Sequence, residues 1–251
     1  MKNNKLIVAL DVDSVARARQ LVSELREYVA MFKVGSQLFT AAGPDFVREI
    51  VRSGNRVFLD LKFHDIPNTV AAAGVEATRL GVSIFNVHAA GGVEMMQRTA
   101  DAVSRVAESE GLPRPAVIAV TVLTSADAKT LEVTGVSAEP KEHVLRLAAL
   151  AAKSGMDGVV ASPHEVTPIR AAVARPGFLI VTPGVRPGGT SHDDQKRVMS
   201  PANAIRAGAD YLVVGRHIVS ADDPIAAAKA VASEMESAAK SLALEEGTAG
   251  R

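Results

Sequence analysis

Cysteine and tryptophan are absent from the 251-residue chain, which contains only 2 tyrosines. The lack of cysteine excludes disulfide bonds and thiolate metal sites. The scarcity of aromatic side chains disfavours a surface on which single-stranded nucleic acid would stack. The formal net charge is +0, so the chain has no general attraction for nucleic acid or for an anionic membrane. We therefore expect neither of these as a partner.

Long hydrophobic runs are also missing. No apolar run approaches the length of a membrane span, and residues 1–5 lead into a short apolar segment without the pattern of a signal peptide. A cytoplasmic protein is the resulting expectation. The 6 histidines show no spacing typical of a metal site, so we expect no metal ion.

What the sequence does contain is a regular alternation of short apolar segments and helical patterns. Segments that are apolar on both faces are typical of parallel strands covered by helices. Eight such units in one chain of this length predict an α/β fold, a single-domain (β/α)8 TIM barrel over residues 1–242, with 243–251 as a frayed C-terminal tail. The predicted strands cover residues 5–10, 30–34, 56–62, 83–88, 116–121, 158–161, 178–182 and 211–214.

Other points of the fold are less sharply defined by the sequence. A doubly wound open sheet is the alternative, but no Gly-x-Gly-x-x-Gly follows the first strand, so dinucleotide binding has little support. Pro44 is predicted to open the second helix. The polar stretch 126–140 is either a partly helical excursion or a loop.

The third predicted strand carries unusual charges. Side chains alternate along a strand, so Asp60 and Lys62 should share one face. Asp65 follows the strand, and Pro67 suits the first turn of the next helix. A solvated ion pair on an edge strand is one interpretation. The flanking residues are too apolar for an exposed edge, however, and an unpaired buried charge is costly. The second interpretation is a row of alternating charges that faces a cleft.

In this fold the active site forms where the strands end, and the loops after the seventh and eighth strands commonly bind phosphate. Gly184 and Gly215 allow close approach of backbone N–H groups to an anion, and the long polar loop that contains Gln195 resembles a lid. Polar or special residues lie at or just after the ends of most of the predicted strands: Asp11, Lys33, Asp60, Lys62, His88, Thr124, Ser125, Pro183, Arg186, Gly215 and Arg216.

These motifs resemble the orotidine 5′-phosphate decarboxylase family of the bacterial type. The resemblance rests on Asp60-x-Lys62-x-x-Asp65-Ile66-Pro67-Asn68-Thr69, Leu123-Thr124-Ser125, Pro183-Gly184-Val185-Arg186 and Val214-Gly215-Arg216, and it extends from Leu6 to about Ala239. It implies a reaction without a cofactor that converts orotidine 5′-monophosphate to uridine 5′-monophosphate (UMP) and CO2. It also implies a homodimer whose active sites are shared between subunits.

The resemblance assigns roles to the charged row. Lys62 would be the proton donor to C6 of the pyrimidine, and Asp60 would lie beside the carboxylate of the substrate. Asp65 would come from the partner subunit, together with Thr69. Lys33 would join this network. The remaining implied contacts are Asp11 and Lys33 for the ribose, Thr124 and Ser125 for the pyrimidine, and Pro183, Arg186, Gln195, Gly215 and Arg216 for the phosphate and lid.

Two alternative functions remain at this point. Related sugar-phosphate decarboxylases and aldolases on the same barrel use Mg²⁺ and require an acidic ligand near the end of the second strand. Lys33 occupies that position here, which disfavours a metal. The other alternative is a regulator that binds a nucleotide without catalysis. The presence of Asp60, Lys62 and Asp65 together disfavours it.

Overall fold

The structure, a computed structural model, describes residues 5–186 and 199–249. Eight parallel strands close into a barrel in which β8 pairs with β1, so the predicted (β/α)8 fold is confirmed. Each observed strand lies within one or two residues of its predicted bounds. The strands are β1 Leu6–Ala9, β2 Met31–Gly35, β3 Val57–Phe63, β4 Ile84–His88, β5 Ala116–Val120, β6 Gly158–Val160, β7 Leu179–Thr182 and β8 Tyr211–Val214.

Helices cover the outside of the barrel. None of those in the described part of the chain is long and apolar enough to cross a membrane. In the described residues they are α1 Val15–Leu25, α2 Ser36–Arg52, α3 Pro67–Arg79, α4 Gly92–Glu110, α5 Ala128–Val133, α6 Pro140–Lys153, α7 Val166–Ala172, α8 Pro201–Arg206, α9 Arg216–Val219 and α10 Pro224–Ala249.

The strand residues divide into two apolar layers because successive side chains face opposite sides of a sheet. One layer packs against the helices. The other fills the barrel with Ile7, Ala9, Met31, Phe58, Ile84, Ile118, Val181 and Val213. Toward the C-terminal ends of β2, β3 and β4 the buried residues become polar, namely Lys33, Asp60 and Asn86. The packed interior therefore forms the floor beneath these polar groups.

One detail differs from the sequence-based expectations, and the structure describes two further helical segments. Helix α2 begins at Ser36 rather than at Pro44 and is kinked at Gly43, whose φ of 67° is accessible to glycine. Pro44 does open the segment after the kink. The stretch 126–140, left open above, contains α5. Helix α10 continues to Ala249, well into the range expected to fray, because residues 243–249 favour helix apart from one glycine. The domain boundary at residue 242 stays a prediction.

At the N-terminal end of the barrel, two aspartates join neighbouring strands. Asp157, just before β6, accepts a hydrogen bond from the backbone N–H of Val117 in β5 at 2.7 Å and one from Arg114 at 2.8 Å. Asp210, just before β8, accepts from the backbone N–H of Ile180 in β7 at 2.7 Å and from the guanidinium of Arg170. These pairs lie opposite the mouth where the polar strand ends gather.

Candidate active site

The backbone of β3 is irregular where its charged residues lie. Leu59 pairs with Phe85 and Phe63 pairs with Val87. Three residues of β3, 60–62, therefore stand opposite the single residue Asn86 of β4, an excess of two. Lys62 has a φ of 52°, the only positive φ of a non-glycine residue in the described part of the chain. Such a conformation costs about 1–3 kcal/mol and is concentrated at functional sites.

Alternating charges run across the ends of β1, β2 and β3. Lys62 Nζ lies 2.7 Å from Asp60 Oδ1. The other oxygen of Asp60 lies 3.2 Å from Lys33 Nζ, which in turn lies 3.1 Å from Asp11 Oδ1. Asp60 and Lys33 are each only 8% exposed. The structure thus brings together four of the predicted site residues in the order Asp11, Lys33, Asp60, Lys62.

The two buried members of this row are held in their charged forms. Burial alone would lower the pKa of Lys33, but the charges of Asp60 and Asp11 outweigh it and the pKa is raised. Burial alone would raise the pKa of Asp60, but Lys33 and Lys62, with a hydrogen bond from Asn86, lower it. Lys33 and Asp60 are therefore both charged at neutral pH.

Asn86 is a residue of this site that the sequence analysis missed. Its side chain is 0% exposed. Its Nδ2 donates to Asp60 Oδ1 at 2.7 Å, and its Oδ1 accepts from the backbone N–H of Lys62 at 2.8 Å. The available signal was the presence of an amide in the middle of β4, a strand whose burial pattern requires every polar group to find a partner.

Above the row lies a cavity of about 610 Å³, a size typical of small-molecule sites. Gln37 and His217 also line it, and the sequence analysis selected neither. Side chains from the ends of β5 and β6, among them Val120 and Val160, form an apolar wall. The cavity-lining residues that the sequence predicted are Asp11, Lys33, Asp60, Lys62, Thr124, Pro183, Arg186, Gly215 and Arg216.

Three of the predicted residues, Asp65, Thr69 and Ser125, do not line the cavity within the described chain. Asp65 and Thr69 are exposed outside it, and Asp65 Oδ1 accepts a hydrogen bond from the backbone N–H of Ile66 at 2.6 Å. Ser125 follows Thr124 but does not line the cavity. Gln195 lies outside the described residues. The predicted roles of these four stay predictions.

Two histidines lie beside the charged row. The rings of His64 and His88 are 5.4 Å apart between centroids. Burial, followed by the charges of His64 and Lys62, lowers the pKa of His88.

No group of three or more histidine, aspartate or glutamate side chains within residues 5–186 and 199–244 is arranged to hold a metal ion.

Comparison with known proteins gives a consistent result. The sequence profile described as "Orotidine 5'-phosphate decarboxylase / HUMPS family" matches residues 4–231. A protein of Moorella thermoacetica named orotidine 5'-phosphate decarboxylase is 55% identical over 234 residues, which cover 93% of this chain and 92% of that protein. A protein of the same name from Geobacter sulfurreducens is 55% identical over 231 residues, or 92% of this chain and 95% of that protein.

A solved structure agrees with these sequence matches. The crystal structure of orotidine 5'-phosphate decarboxylase from Lactobacillus acidophilus superposes with a TM-score of 0.81 at 36% identity. The superposition covers 92% of this chain and 99% of that chain. The barrel fold is therefore common to both proteins.

Proposed function

The chain belongs to the orotidine 5′-phosphate decarboxylase / HUMPS family, and on this premise we propose that it decarboxylates orotidine 5′-monophosphate to UMP and CO2. The enzyme is a carboxy-lyase of pyrimidine nucleotide synthesis and uses no cofactor. The observation that carries this proposal is the ion-paired row from Asp11 to Lys62 at the edge of a cavity that Arg186 and Arg216 also line.

Lys62 supplies the chemistry. When the bond between C6 and the carboxylate breaks, its electron pair remains on C6 in the plane of the ring, where the ring π-system cannot absorb it. A cation fixed beforehand stabilises this localised charge without reorganising during the reaction. The ammonium group of Lys62 then donates its proton to C6 and becomes a neutral amine. The proximity of Lys62 Nζ to Asp60, at 2.7 Å, supports this role because the carboxylate orients the amine.

Asp60 acts mainly through Lys62 and Lys33, whose charged amines it orients. It also lies beside the substrate carboxylate in this proposal and disfavours that negative group more than it disfavours neutral CO2. We give this second effect less weight, since destabilisation of the bound substrate is difficult to separate from stabilisation of the transition state. Decarboxylations of this kind require barrier lowering of about 20 kcal/mol, which Lys62 cannot supply alone.

Remote contacts contribute to the remaining barrier lowering. Arg186 and Arg216 bind the phosphate as two-pronged donors, with Pro183, Gly215 and the lid residue Gln195 completing that end of the site. Asp11 and Lys33 hold the ribose, and Thr124 and Ser125 contact the pyrimidine. Binding energy gained at the phosphate orients the ring over Lys62 and drives closure of the lid.

The active enzyme is a homodimer in which Asp65 of each chain, with Thr69, enters the partner's site. The exposed surface on this side supports the assignment. Ile66, next to Asp65, is 66% exposed, and Val93 and Leu123, which follow β4 and β5, are 41% and 44% exposed. Within the part of the chain that the structure describes, no cation pairs with Asp65. A second subunit would cover these apolar side chains and bring Asp65 to Lys62.

One assay tests the function. Purified protein is mixed with orotidine 5′-monophosphate and excess chelator, and the loss of substrate absorbance is followed. We expect turnover that the chelator does not change. Turnover that requires added Mg²⁺ would indicate a sugar-phosphate enzyme of the same barrel. Tight binding of UMP without turnover would indicate a regulator, and either result would contradict the proposal.

A further inference from the structure

Asn86 connects the two residues at the centre of the charged row. Both ends of its amide are used, one by the carboxylate of Asp60 and the other by the backbone of Lys62. The side chain is 0% exposed, so neither partner can be replaced by bulk water. Rotation of the amide by 180° would break both hydrogen bonds, which fixes the orientation of the group.

The hydrogen bond from the Lys62 N–H to Asn86 lies where the regular pairing of β3 and β4 is interrupted. Between the pairs Leu59–Phe85 and Phe63–Val87 the regular ladder of β3 and β4 is interrupted. The N–H of Lys62 is in this gap and receives its acceptor from the Asn86 side chain instead of from a strand carbonyl. The same residue has the φ of 52°. A hydrogen bond to a buried acceptor can hold a backbone in a conformation that it would otherwise leave.

We propose that Asn86 is a positioning residue that fixes the Lys62 amine for proton donation by holding the Lys62 backbone and the Asp60 carboxylate at once. This inference rests on the proposed function. Lys62 Nζ and Asn86 Nδ2 share a single oxygen, Asp60 Oδ1, both at 2.7 Å. The Asn86 side chain thus holds both the backbone of Lys62 and the carboxylate that its ammonium group contacts. These two points together determine where the ammonium group lies.

Removal of the Asn86 side chain should affect the rate of the reaction more than the binding of nucleotide. In Asn86→Ala, we expect kcat to fall about 100-fold, because a displacement of about 1 Å of a catalytic group has an effect of this size. KM and UMP affinity should change by less than about threefold, since phosphate recognition at Arg216 does not involve β4. The conservative variant Asn86→Asp keeps the acceptor for Lys62 but sets a second carboxylate against Asp60, so its kcat should fall as well.

Val87→Ala provides the matched control. Val87 is the next residue of β4, is 0% exposed and packs in the outer hydrophobic core, so its truncation weakens the same strand without touching the charged row. After correction for the folded fraction, this variant should retain the kcat of the unmodified enzyme. Equal loss of kcat in Val87→Ala and Asn86→Ala would show that Asn86 is only structural and would overturn the inference.

Amide hydrogen exchange gives a readout that does not depend on turnover. In the unmodified protein, the Lys62 amide should exchange as slowly as the strand amides of β3. In Asn86→Ala it should exchange at least about tenfold faster, whereas Asn86→Asp should preserve protection. Fast exchange at Lys62 in the unmodified protein would overturn the inference even if no variant folds. Absence of turnover in the unmodified protein would instead contradict the proposed function.

Discussion

At the scale of single residues, the carboxylate of Asp60 is the centre of the site. Three donors converge on the carboxylate of Asp60, from Lys33, Lys62 and Asn86. These contacts lie within one chain, so the fold itself orients the three donors. Electrostatic stabilisation of a transition state is most effective when the charges are already in place, because no energy is then spent on turning them during the reaction.

The strain at Lys62 predicts a difference between two inactive variants. Lys62→Ala and Lys62→Gly both remove the amine, so both should lose turnover while still binding UMP. Glycine adopts a positive φ without steric cost, so Lys62→Gly should be more stable than Lys62→Ala by about 1 kcal/mol. Urea unfolding measures the difference, and calorimetry measures the binding of UMP. Near-normal turnover in either variant would remove Lys62 as the proton donor.

The charged row also predicts how stability depends on pH. The folded pKa of Asp60 is lowered, so its contribution is present above the ordinary value of about 3.9 and is lost as the pH falls through the folded value. The pKa of Lys33 is raised, so its contribution is present below about 10.4 and is lost as the pH rises through the folded value.

Urea unfolding at a series of pH values tests this dependence. The stability difference between the unmodified protein and Asp60→Asn should be constant across neutral pH and should shrink below about pH 4. The matching comparison with Lys33→Met should shrink above about pH 10. A difference that does not change with pH would mean that these charges contribute nothing to folding.

At the scale of elements, the strands could be predicted because buried parallel strands are continuous apolar runs bounded by turns. The alternation rule placed Asp60 and Lys62 on one face, and the two side chains do meet. It could not predict that the backbone turns at Lys62, since the two-residue excess is visible only against β4. The sequence analysis missed Asn86 for a similar reason. Its partners lie on β3, and the sequence alone does not show which residues of two neighbouring strands face each other. The role of Asp65 stays a prediction, since the proposal assigns this residue to the site of a second chain.

The contacts of Arg170 at the N-terminal end of the barrel predict that a substitution there lowers stability without changing activity. Arg170 of α7 donates to the backbone carbonyls of Phe178 and Gly208 and to the carboxylate of Asp210. Arg170→Ala removes the guanidinium donor from all three acceptors, of which Asp210 keeps the backbone N–H of Ile180, and should lower the free energy of unfolding by about 1–3 kcal/mol. Its kcat per folded molecule should not change, because the N-terminal end of a barrel supports the fold rather than the chemistry.

The exposed residue Arg206 of α8 provides a control. Its side chain donates only locally, to Asn203 at 3.1 Å, and Arg206→Ala should leave both stability and kcat unaltered. Thermal unfolding measures the stability of the two variants, and initial rates measure their kcat. A loss of kcat in Arg170→Ala at a temperature where it is fully folded would show that this end of the barrel influences the site.

At the scale of the whole molecule, the residues of the site are distributed along almost the whole barrel sequence. The residues around the cavity come from the ends of β1, β2, β3, β5, β6, β7 and β8. The proposed dimer adds Asp65 and Thr69 from a neighbouring chain. The barrel thus sets residues distant in sequence around one opening, and in the proposed dimer a second barrel completes the row of charges.

Mixing of two inactive variants tests the shared site. In a dimer of one Lys62→Ala chain and one Asp65→Ala chain, one site lacks both groups and the other has both. Random pairing should therefore restore about a quarter of the normal activity, since half of the dimers are mixed and each has one intact site of two. Chains refolded separately and then combined without exchange serve as the control. Mixed dimers without activity would contradict a site shared in this way.

The pairing of β8 with β1 brings Gly215 and Arg216 to the same cavity as Asp11, so the first and last strands meet at the pocket. During synthesis the ribosome releases Asp11 some 200 residues before Arg216. A nascent chain therefore has no complete nucleotide pocket until Arg216 has emerged, and substrate cannot assist the earlier steps of its folding. A chain stalled before Tyr211 should fail to bind UMP, and release of the last strand should restore binding.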